Sequence, residues 1–120
     1  MYLSPVEKVP AIIDRLYELI KAGDIDRLAM LYSGDGEIVR YDGVASSTPE
    51  IRQYYRAYLG SRPGLRLRQI DKLLTTGNLF MWDALLDSDD GILQTIDVVI
   101  LDDEGLIHRH IPGFRGYWGR

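Results

Sequence analysis

The sequence predicts a single α+β domain over residues 1–120, and two observations carry that prediction. Apolar residues recur at helical spacing in the first half of the chain, whereas the second half contains four β-like segments separated by hairpin sequences. No internal repeat, linker or low-complexity stretch divides the two halves. Helices followed by a meander of strands are typical of α+β domains, in which helices cover one face of a sheet.

The first predicted helix begins at Pro10 and ends at Gly23. Proline is favoured in the first turn of a helix, and glycine is favoured directly after the last turn. Ser4 and Glu7 have the spacing of a capping box just upstream. The apolar residues at helical spacing are Val9, Ile12, Ile13, Leu16, Leu19 and Ile20.

Two further helices and a first strand are predicted before the chain midpoint. A short helix over residues 25–32 has Asp24 as its N-cap. The sequence "SGDG" that follows has the composition of a turn, and "EIVRYDG" fits a strand. Ser47 is the predicted N-cap of the third helix, which runs through Leu59. Ser47 and Glu50 have the spacing of a capping box.

Four segments of the second half have the character of strands: "GLRLRQIDKLL", "NLFMWDALLD", "GILQTIDVVILDD" and "GLIHRHIPGFRGYWG". They are rich in β-branched and aromatic residues, and the hairpin sequences "TTG", "SDDG" and "DDEG" separate them. Because "LRLRQ" alternates, one face of that strand is expected to meet the core and the other water. A curved sheet covered by helices on one face places the natural cavity between helices and sheet.

Composition excludes several classes of function. The chain has 18 acidic and 14 basic residues and a formal net charge of -4, which argues against a nucleic-acid partner. It contains no cysteine, which excludes disulfides, thiolate zinc sites and cysteine catalysis. The longest apolar runs are too short to cross a bilayer, and the N-terminus lacks a signal-peptide pattern. These features predict a cytoplasmic protein without a membrane partner.

Asp97 stands in the middle of an apolar run, "TIDVVIL". A charged residue in such a run is unusual, since a buried carboxylate needs a partner or loses its charge. With a period of two, Asp97 shares one strand face with Thr95 and Val99. Two interpretations stay open: an acid that lines a pocket, or a structural carboxylate held by backbone amides or an arginine. Both faces of the strand are mostly apolar, which predicts a central strand whose outer face could lie in an interface.

The element order, together with "IKAGDIDRLAMLYSGDGEIVRYDG" and "TPEIRQYYRAYL", resembles the NTF2-like superfamily over nearly the whole chain. The branch it is most similar to is the ketosteroid isomerase and SnoaL-like one. The resemblance implies a cone of three N-terminal helices packed on a strongly curved, mostly antiparallel sheet. It also implies a homodimer formed through the open face of the sheet. It implies the reaction less directly, because this fold hosts many activities.

The resemblance assigns roles to individual positions. The family's oxyanion-hole acid, an aspartate kept neutral by its apolar site, corresponds to Asp97. Two tyrosines that support the site in one branch correspond to Tyr32 and Tyr55. The tyrosine that donates to the substrate oxygen corresponds to Leu16, and Tyr17 is one position along the chain, turned by about 100° around the helix.

The family's general-base aspartate corresponds to Arg40. A residue of opposite charge replaces this base, so a true ketosteroid isomerase is not expected. The resemblance directs Arg40 into the cavity, where it would pair with Asp97 or hold an anionic oxygen of a ligand. An ordinary surface arginine is the alternative. A nearby guanidinium would keep Asp97 ionised, whereas an isolated carboxyl group would be driven toward its protonated form by burial.

His108 and His110 alternate with Arg109, so the two histidines are expected to share one face of the last strand. The resemblance brings His110 near a pocket-lining position beside Asp97, where a histidine suits acid–base work near neutral pH. A core histidine with a backbone partner is the alternative. A metal would need a third ligand such as Asp97, and neither a metal nor a cofactor is expected.

Aromatic residues mark the remaining pocket positions. Those that correspond to the wall and mouth of the family's pocket are Phe80, Trp82, Ala84 and Phe114. An aromatic wall predicts a ligand that is largely apolar. On the third helix, Tyr55 is expected to face inward, whereas Tyr54 and Tyr58 are expected at the surface or in a dimer contact.

The favoured interpretation is a cofactor-independent acid–base enzyme that acts on a small, largely apolar carbonyl or hydroxyl compound, as an isomerase, cyclase, dehydratase or hydrolase. Asp97 would be the acid or base, Arg40 would stabilise developing negative charge, and His110 would relay or orient a proton. The residues expected to contact the ligand are Leu16, Tyr17, Tyr32, Tyr55, Phe80, Trp82 and Phe114. One alternative is a non-catalytic small-molecule-binding protein. Another is a structural module whose own side chains fill the cavity.

Overall fold

The computed structural model describes residues 8–119. Its elements in chain order are α1 (Ala11–Ala22), α2 (Ile25–Met30), β1 (Tyr32–Arg40), β2 (Gly43–Ala45), α3 (Thr48–Gly60), β3 (Arg66–Thr76), β4 (Leu79–Asp87), β5 (Gly91–Leu101) and β6 (Ile107–Gly119). The predicted α+β class is confirmed. Ser4 and Glu7 lie outside the described residues. Within that range, no helix is long and apolar enough to span a bilayer.

The six strands form one sheet in the order β2-β1-β6-β5-β4-β3. All neighbouring strands are antiparallel except β1 and β6, which are parallel. The predicted mostly antiparallel sheet is therefore confirmed. The last strand, β6, enters the middle of the sheet between β1 and β5, and this brings residues from both ends of the chain together.

The helix ends follow the predicted capping rules. Gly23 closes α1 with a φ of 69°, in the left-handed region that glycine adopts without strain. The side chain of Asp24 accepts a hydrogen bond from the backbone N–H of Arg27. The Ser47 side chain likewise accepts from the N–H of Glu50, and Glu50 Oε1 accepts from the Ser46 N–H at 2.9 Å. These local bonds satisfy backbone donors that each helix leaves free at its first turn.

Strand β1 starts earlier than its sequence indicates. Residues 33–36, "SGDG", were expected to form a turn but belong to β1. In the pairing of β1 with β6, Tyr32 lies opposite Ile107 and Glu37 lies opposite Arg109. Between these two pairs β1 has more residues than β6, so β1 contains a bulge there. A Cβ at Gly36 would lie 2.7 Å from the carbonyl oxygen of Ile107. The glycine is thus required by close approach of two strands, and not by a turn. The short strand β2 was not predicted.

The helices pack on one face of the sheet and enclose the core. On β5 the odd-numbered positions are buried and the even-numbered ones are more exposed, so the odd-numbered residues face the helices. The most deeply buried core residues are Ile13, Leu28, Ile38, Ile51, Tyr55, Trp82, Ala84, Leu86, Leu93, Val99 and Ile107. Asp97 lies on this inner face together with Thr95 and Val99, the residues that alternation placed beside it.

Candidate functional site

A cavity of about 640 Å³ lies between the helices and the inner face of the sheet. Cavities of this size accommodate small organic ligands. Its lining residues are Leu16, Tyr17, Ile20, Arg40, Tyr41, Asp42, Tyr54, Tyr55, Ala57, Tyr58, Ser61, Arg62, Leu86, Thr95, Asp97, His110, Pro112, Gly113 and Phe114. The buried members, such as Leu86 and Asp97, form a closed end, whereas exposed members such as Tyr41 and Phe114 form the mouth.

Asp97 and His110 form a buried pair at the closed end. His110 Nε2 lies 2.7 Å from Asp97 Oδ2, and the two residues are 3% and 8% exposed. They reach each other because β5 and β6 are adjacent and both side chains point to the inner face. The partner that keeps this carboxylate in an apolar wall is therefore a histidine.

Two tyrosines extend this pair into a hydrogen-bonded chain. The Tyr32 hydroxyl lies 2.7 Å from His110 Nδ1 and 2.6 Å from the Tyr55 hydroxyl. We assign the protons so that Tyr55 donates to Tyr32, Tyr32 donates to Nδ1, and the Nε2–H donates to Asp97. In this arrangement a neutral imidazole and an ionised carboxylate satisfy the polar atoms of the chain, apart from Asp97 Oδ1.

Five tyrosines lie within electrostatic influence of the Asp97 carboxylate: Tyr17, Tyr32, Tyr54, Tyr55 and Tyr58. Burial raises the pKa of each above the ordinary tyrosine value of 10.0, and the negative charge of Asp97 raises it further. The phenols therefore keep their protons near neutral pH. Asp97 therefore stands among neutral phenols.

Tyr17 presents its hydroxyl to the cavity with a fixed orientation. The indole N–H of Trp82 donates to the Tyr17 oxygen at 2.7 Å, and the two rings pack edge to face. Because the oxygen accepts from Trp82, the phenol proton remains available to another acceptor. The helical face that enters the core is broad enough to carry both Leu16 and Tyr17 to the cavity wall.

Two polar atoms at the closed end form no hydrogen bond of ordinary geometry with a residue that the structure describes. Asp97 Oδ1 makes no hydrogen bond within residues 8–119, while its side chain keeps 11% of its surface accessible. Thr95 Oγ1 is buried and makes no hydrogen bond of ordinary geometry with a described residue. Its hydroxyl nevertheless lowers the pKa of Tyr17, against the larger rise that burial causes. Thr95 and Asp97 are two residues apart on one strand face, about 7 Å along β5. Both can bind a polar group of a guest molecule.

Arg40 lies at the mouth and not at the closed end. Its guanidinium is 3.8 Å from Asp42 Oδ1 and lies over the Tyr54 ring, 5.0 Å from the centroid. Its side chain is 43% exposed, and within the described residues it forms no ion pair with Asp97. The sequence left two orientations of Arg40 open, into the cavity or at the surface. The structure places its guanidinium at the rim of the cavity, beside Asp42.

The predicted ligand contacts divide into two groups. Leu16, Tyr17, Tyr55 and Phe114 line the cavity, with Phe114 at the mouth and 61% exposed. Tyr32, Phe80 and Trp82 do not line it. Tyr32 lies behind His110, and Trp82 lies behind Tyr17, so each acts on the cavity through the residue in front of it.

The two histidines of β6 do not share a site. The pairing of β6 with β5 shifts by one residue between Ile100 and Leu101, which breaks the simple alternation on which the expectation rested. His108 Nδ1 lies 3.7 Å from Asp35 Oδ1 at the surface, whereas His110 faces the cavity. Among residues 8–119, no three metal-ligating side chains gather in one place.

Among the cavity residues that the sequence did not single out as ligand contacts are Tyr54, Tyr58, Arg62 and Thr95. Tyr54 and Tyr58 were expected at the surface or in a dimer contact, but their rings stack at a centroid distance of 5.8 Å and both line the cavity. The spacing of four residues on one helix was the available signal, since it places two rings one above the other. Thr95 could have been found from its shared strand face with Asp97.

No protein-family model matches the sequence, and no curated protein matches it significantly. Solved structures match it over most of its length. A candidate isomerase of the SnoaL-like family from Agrobacterium tumefaciens has 21% identity and a TM-score of 0.73, covering 88% of this chain and 95% of that chain. An NTF-2 like protein of unknown function from Burkholderia xenovorans has 14% identity and a TM-score of 0.71, covering 89% and 82%.

This chain has the NTF2-like fold. The epoxide hydrolase/cyclase-like enzyme SalBIII, of pyran ring formation in the polyether salinomycin, shares that fold at 15% identity with a TM-score of 0.75, over 89% of this chain and 93% of that one. The predicted resemblance is thus confirmed at the level of architecture. Because NTF2-like folds carry many activities, the activity of this chain must be argued from its own cavity.

Proposed function

We propose that this protein is an acid–base enzyme that acts on a small, largely apolar carbonyl or hydroxyl compound in its internal cavity, without a cofactor. The observation that carries the proposal is the Asp97 carboxylate. Oδ2 is held by His110 at 2.7 Å, while Oδ1 makes no hydrogen bond with a described residue and belongs to a cavity lined mainly by apolar and aromatic side chains. A positioned base in a site of low polarity is suited to proton abstraction.

Asp97 is the general base of the proposed reaction. Oδ1 removes a proton from a carbon next to the substrate carbonyl, and the electrons of the broken C–H bond move onto the carbonyl oxygen. The protonated carboxyl group then returns the proton to another atom of the same substrate, which isomerises it or sets up ring closure or loss of water. A base of this kind contributes about 10²–10⁴-fold in rate.

Tyr17 and Thr95 are the proposed donors to the substrate oxygen. The Tyr17 proton is not used in its bond with Trp82, and the Thr95 hydroxyl has no ordinary hydrogen-bond partner among the described residues. Both line the same cavity as Asp97. Preorganised donors stabilise the negative charge that develops on the oxygen during proton abstraction.

His110, Tyr32 and Tyr55 are positioning residues in this proposal. The imidazole donates to Oδ2 and so directs Oδ1 toward the substrate, while Tyr32 and Tyr55 hold the imidazole in the tautomer that donates. Arg40 is assigned no part in the chemical step, because its guanidinium lies at the exposed rim beside Asp42.

The test uses 2-tetralone, an apolar ketone, in D₂O, with deuterium exchange next to the carbonyl followed by NMR. Asp97→Asn keeps an oxygen that accepts from His110, so the fold should persist while exchange falls by about 10²–10⁴-fold. Asp83→Asn is the matched control, because Asp83 is also buried and hydrogen-bonded but faces the other side of the sheet. Full exchange in a folded Asp97→Asn variant removes the proposal. Thermal stabilisation by 2-tetralone without exchange supports a binding protein in its place.

We also propose that a second copy of the chain covers the outer face of the sheet, defined by Leu74, Met81, Ile96, Val98 and Ile111. Leu74, Met81, Val98 and Ile111 are paired across neighbouring strands opposite the cavity, and Ile96 lies two residues from Val98 on the same face of β5. Three of them, Leu74, Ile96 and Ile111, are 54%, 36% and 41% exposed. A two-fold contact lets one apolar face cover itself. Sedimentation should give a dimer that Ile96→Lys dissociates, whereas a monomeric wild type contradicts this arrangement.

A further inference from the structure

Arg62 lies at the cavity mouth without an acidic partner. Within residues 8–119, it forms no ion pair, whereas Arg40, the other arginine in the cavity wall, lies beside Asp42. One N–H of Arg62 donates to the Ser61 hydroxyl at 2.9 Å. Its Nε–H is buried and has no partner among the described residues. A guanidinium has five N–H donors, so most of its binding capacity is unused.

Two aromatic rings hold the Arg62 guanidinium in place. Its central carbon lies 5.3 Å from the ring centroid of Tyr58 and 4.8 Å from that of Phe114. Contact with ring faces fixes the plane of the guanidinium, and a planar fork of this kind matches a carboxylate. A side chain fixed in advance loses less conformational entropy when it binds a ligand.

We infer that Arg62 binds the carboxylate of the substrate, whose apolar part occupies the cavity. The substrate class is therefore an apolar carboxylic acid that also carries the carbonyl or hydroxyl group on which Asp97 acts, and this inference rests on the proposed function above. A single guanidinium without an acidic partner matches a single negative charge. Among the terminal N–H groups of Arg62, only one donates to a described residue, so a carboxylate would supply an acceptor for the others.

The two charged ends of the cavity determine how such a substrate enters. Asp97 and Arg62 both line the cavity, with the carboxylate at the closed end and the guanidinium at the mouth. A substrate carboxylate at the closed end would lie beside the charge of Asp97 in a poorly solvated site, which is unfavourable. At the mouth it meets Arg62. The reacting group is then directed inward, toward Asp97 and Tyr17.

The test compares two probes of equal shape, 2-naphthylacetate and its neutral amide 2-naphthylacetamide, by calorimetric titration of the full chain. The acid should bind about tenfold to a hundredfold more tightly than the amide, as expected for hydrogen bonds to a charged group. Arg62→Gln should abolish this preference. Arg56→Gln on α3 removes the same charge at an exposed position that does not line the cavity, and it should leave the preference unchanged.

Equal affinity for the two probes, a preference that survives Arg62→Gln, or no binding of the acid each overturns the inference. The result is separable from that of the proposed function. If acid and amide bind equally while Asp97→Asn still lowers 2-tetralone exchange, the carboxylate site is wrong and the enzyme stands. If the preference depends on Arg62 while Asp97→Asn leaves exchange unchanged, the carboxylate site stands and the enzyme proposal falls.

Discussion

The indole N–H of Trp82 donates to the Tyr17 hydroxyl at 2.7 Å, which ties the sheet to the first helix beneath the cavity. The bond orients a phenol that would otherwise rotate, and it leaves the phenol proton facing the cavity. Trp82 itself is 1% exposed and touches no ligand position directly. One buried hydrogen bond thus contributes both to stability and to the geometry of the proposed donor.

Tyr17→Phe should lower the free energy of unfolding by about 1–3 kcal/mol, because it leaves the buried Trp82 N–H without an acceptor. Deuterium exchange of 2-tetralone should fall as well, since the substrate oxygen loses a donor, by about 10²–10³-fold. Urea denaturation and NMR measure the two effects. Trp82→Phe serves as the comparison: it keeps the phenol but frees its orientation. Unchanged stability and unchanged exchange in Tyr17→Phe would contradict both roles.

His110→Phe should destabilise the protein by about 3 kcal/mol, because it leaves the buried Asp97 charge and the Tyr32 hydroxyl without partners. Adding Asp97→Asn to this variant should recover part of the loss, since it removes the uncompensated charge. Urea denaturation of the two single variants and the double variant completes a cycle that isolates the pair. Additive losses would mean that the Asp97–His110 contact carries no coupling energy.

The features that were predicted best from the sequence are those that depend on residues close together along the chain. The caps at Ser47 and Gly23 depend on neighbouring residues alone, so they were recognisable from short motifs. Alternation along β5 gave the strand face that Asp97 shares with Thr95 and Val99, but both faces were mostly apolar, so only the family resemblance indicated that this face lies inward. The fold class followed from the same local patterns added together.

The site was harder to predict because its partners come from distant parts of the chain. His110 meets Asp97 through the pairing of β5 with β6, and it meets Tyr32 through the parallel pairing of β6 with β1. Both pairings contain register shifts, and a one-residue shift reverses which side chains face inward. The orientation of Arg40 could not be predicted either, since each face of its strand carries a charge.

Gly36→Ala should lower the free energy of unfolding by about 1–3 kcal/mol, because the added Cβ would lie 2.7 Å from the Ile107 carbonyl oxygen. That oxygen is backbone, so relief requires β1 and β6 to move apart. Gly34→Ala is the matched control two residues away, where a Cβ meets nothing within 4 Å. Thermal unfolding measures the melting temperatures of the Gly36→Ala and Gly34→Ala variants. Equal melting temperatures would show that the strands do not approach as closely as described.

Stability should fall steeply in alkali, because Tyr17, Tyr32 and Tyr55 are each at most 6% exposed and have pKa values raised by burial well above 10.0. Above about pH 10 the unfolded chain loses these phenol protons while the folded protein keeps them. The unfolded state then binds fewer protons, so the free energy of unfolding decreases as pH rises. Each phenol contributes about 1.4 kcal/mol per pH unit and these three together about 4 kcal/mol, to which Tyr54 and Tyr58 add because burial raises their pKa values as well.

Urea denaturation at a series of pH values above 9 measures this slope, and tyrosinate absorbance should appear together with unfolding. Tyr55→Phe removes the phenol at the end of the hydrogen-bonded chain, one of five whose pKa is raised by burial, so it should flatten the slope by about a fifth. Below pH 9 the variant should lose only its hydrogen bond to Tyr32, about 0.5–1.5 kcal/mol. If tyrosinate forms in the folded protein before unfolding begins, the phenols around Asp97 are accessible to water, and the dry site on which the proposed proton transfer depends does not exist.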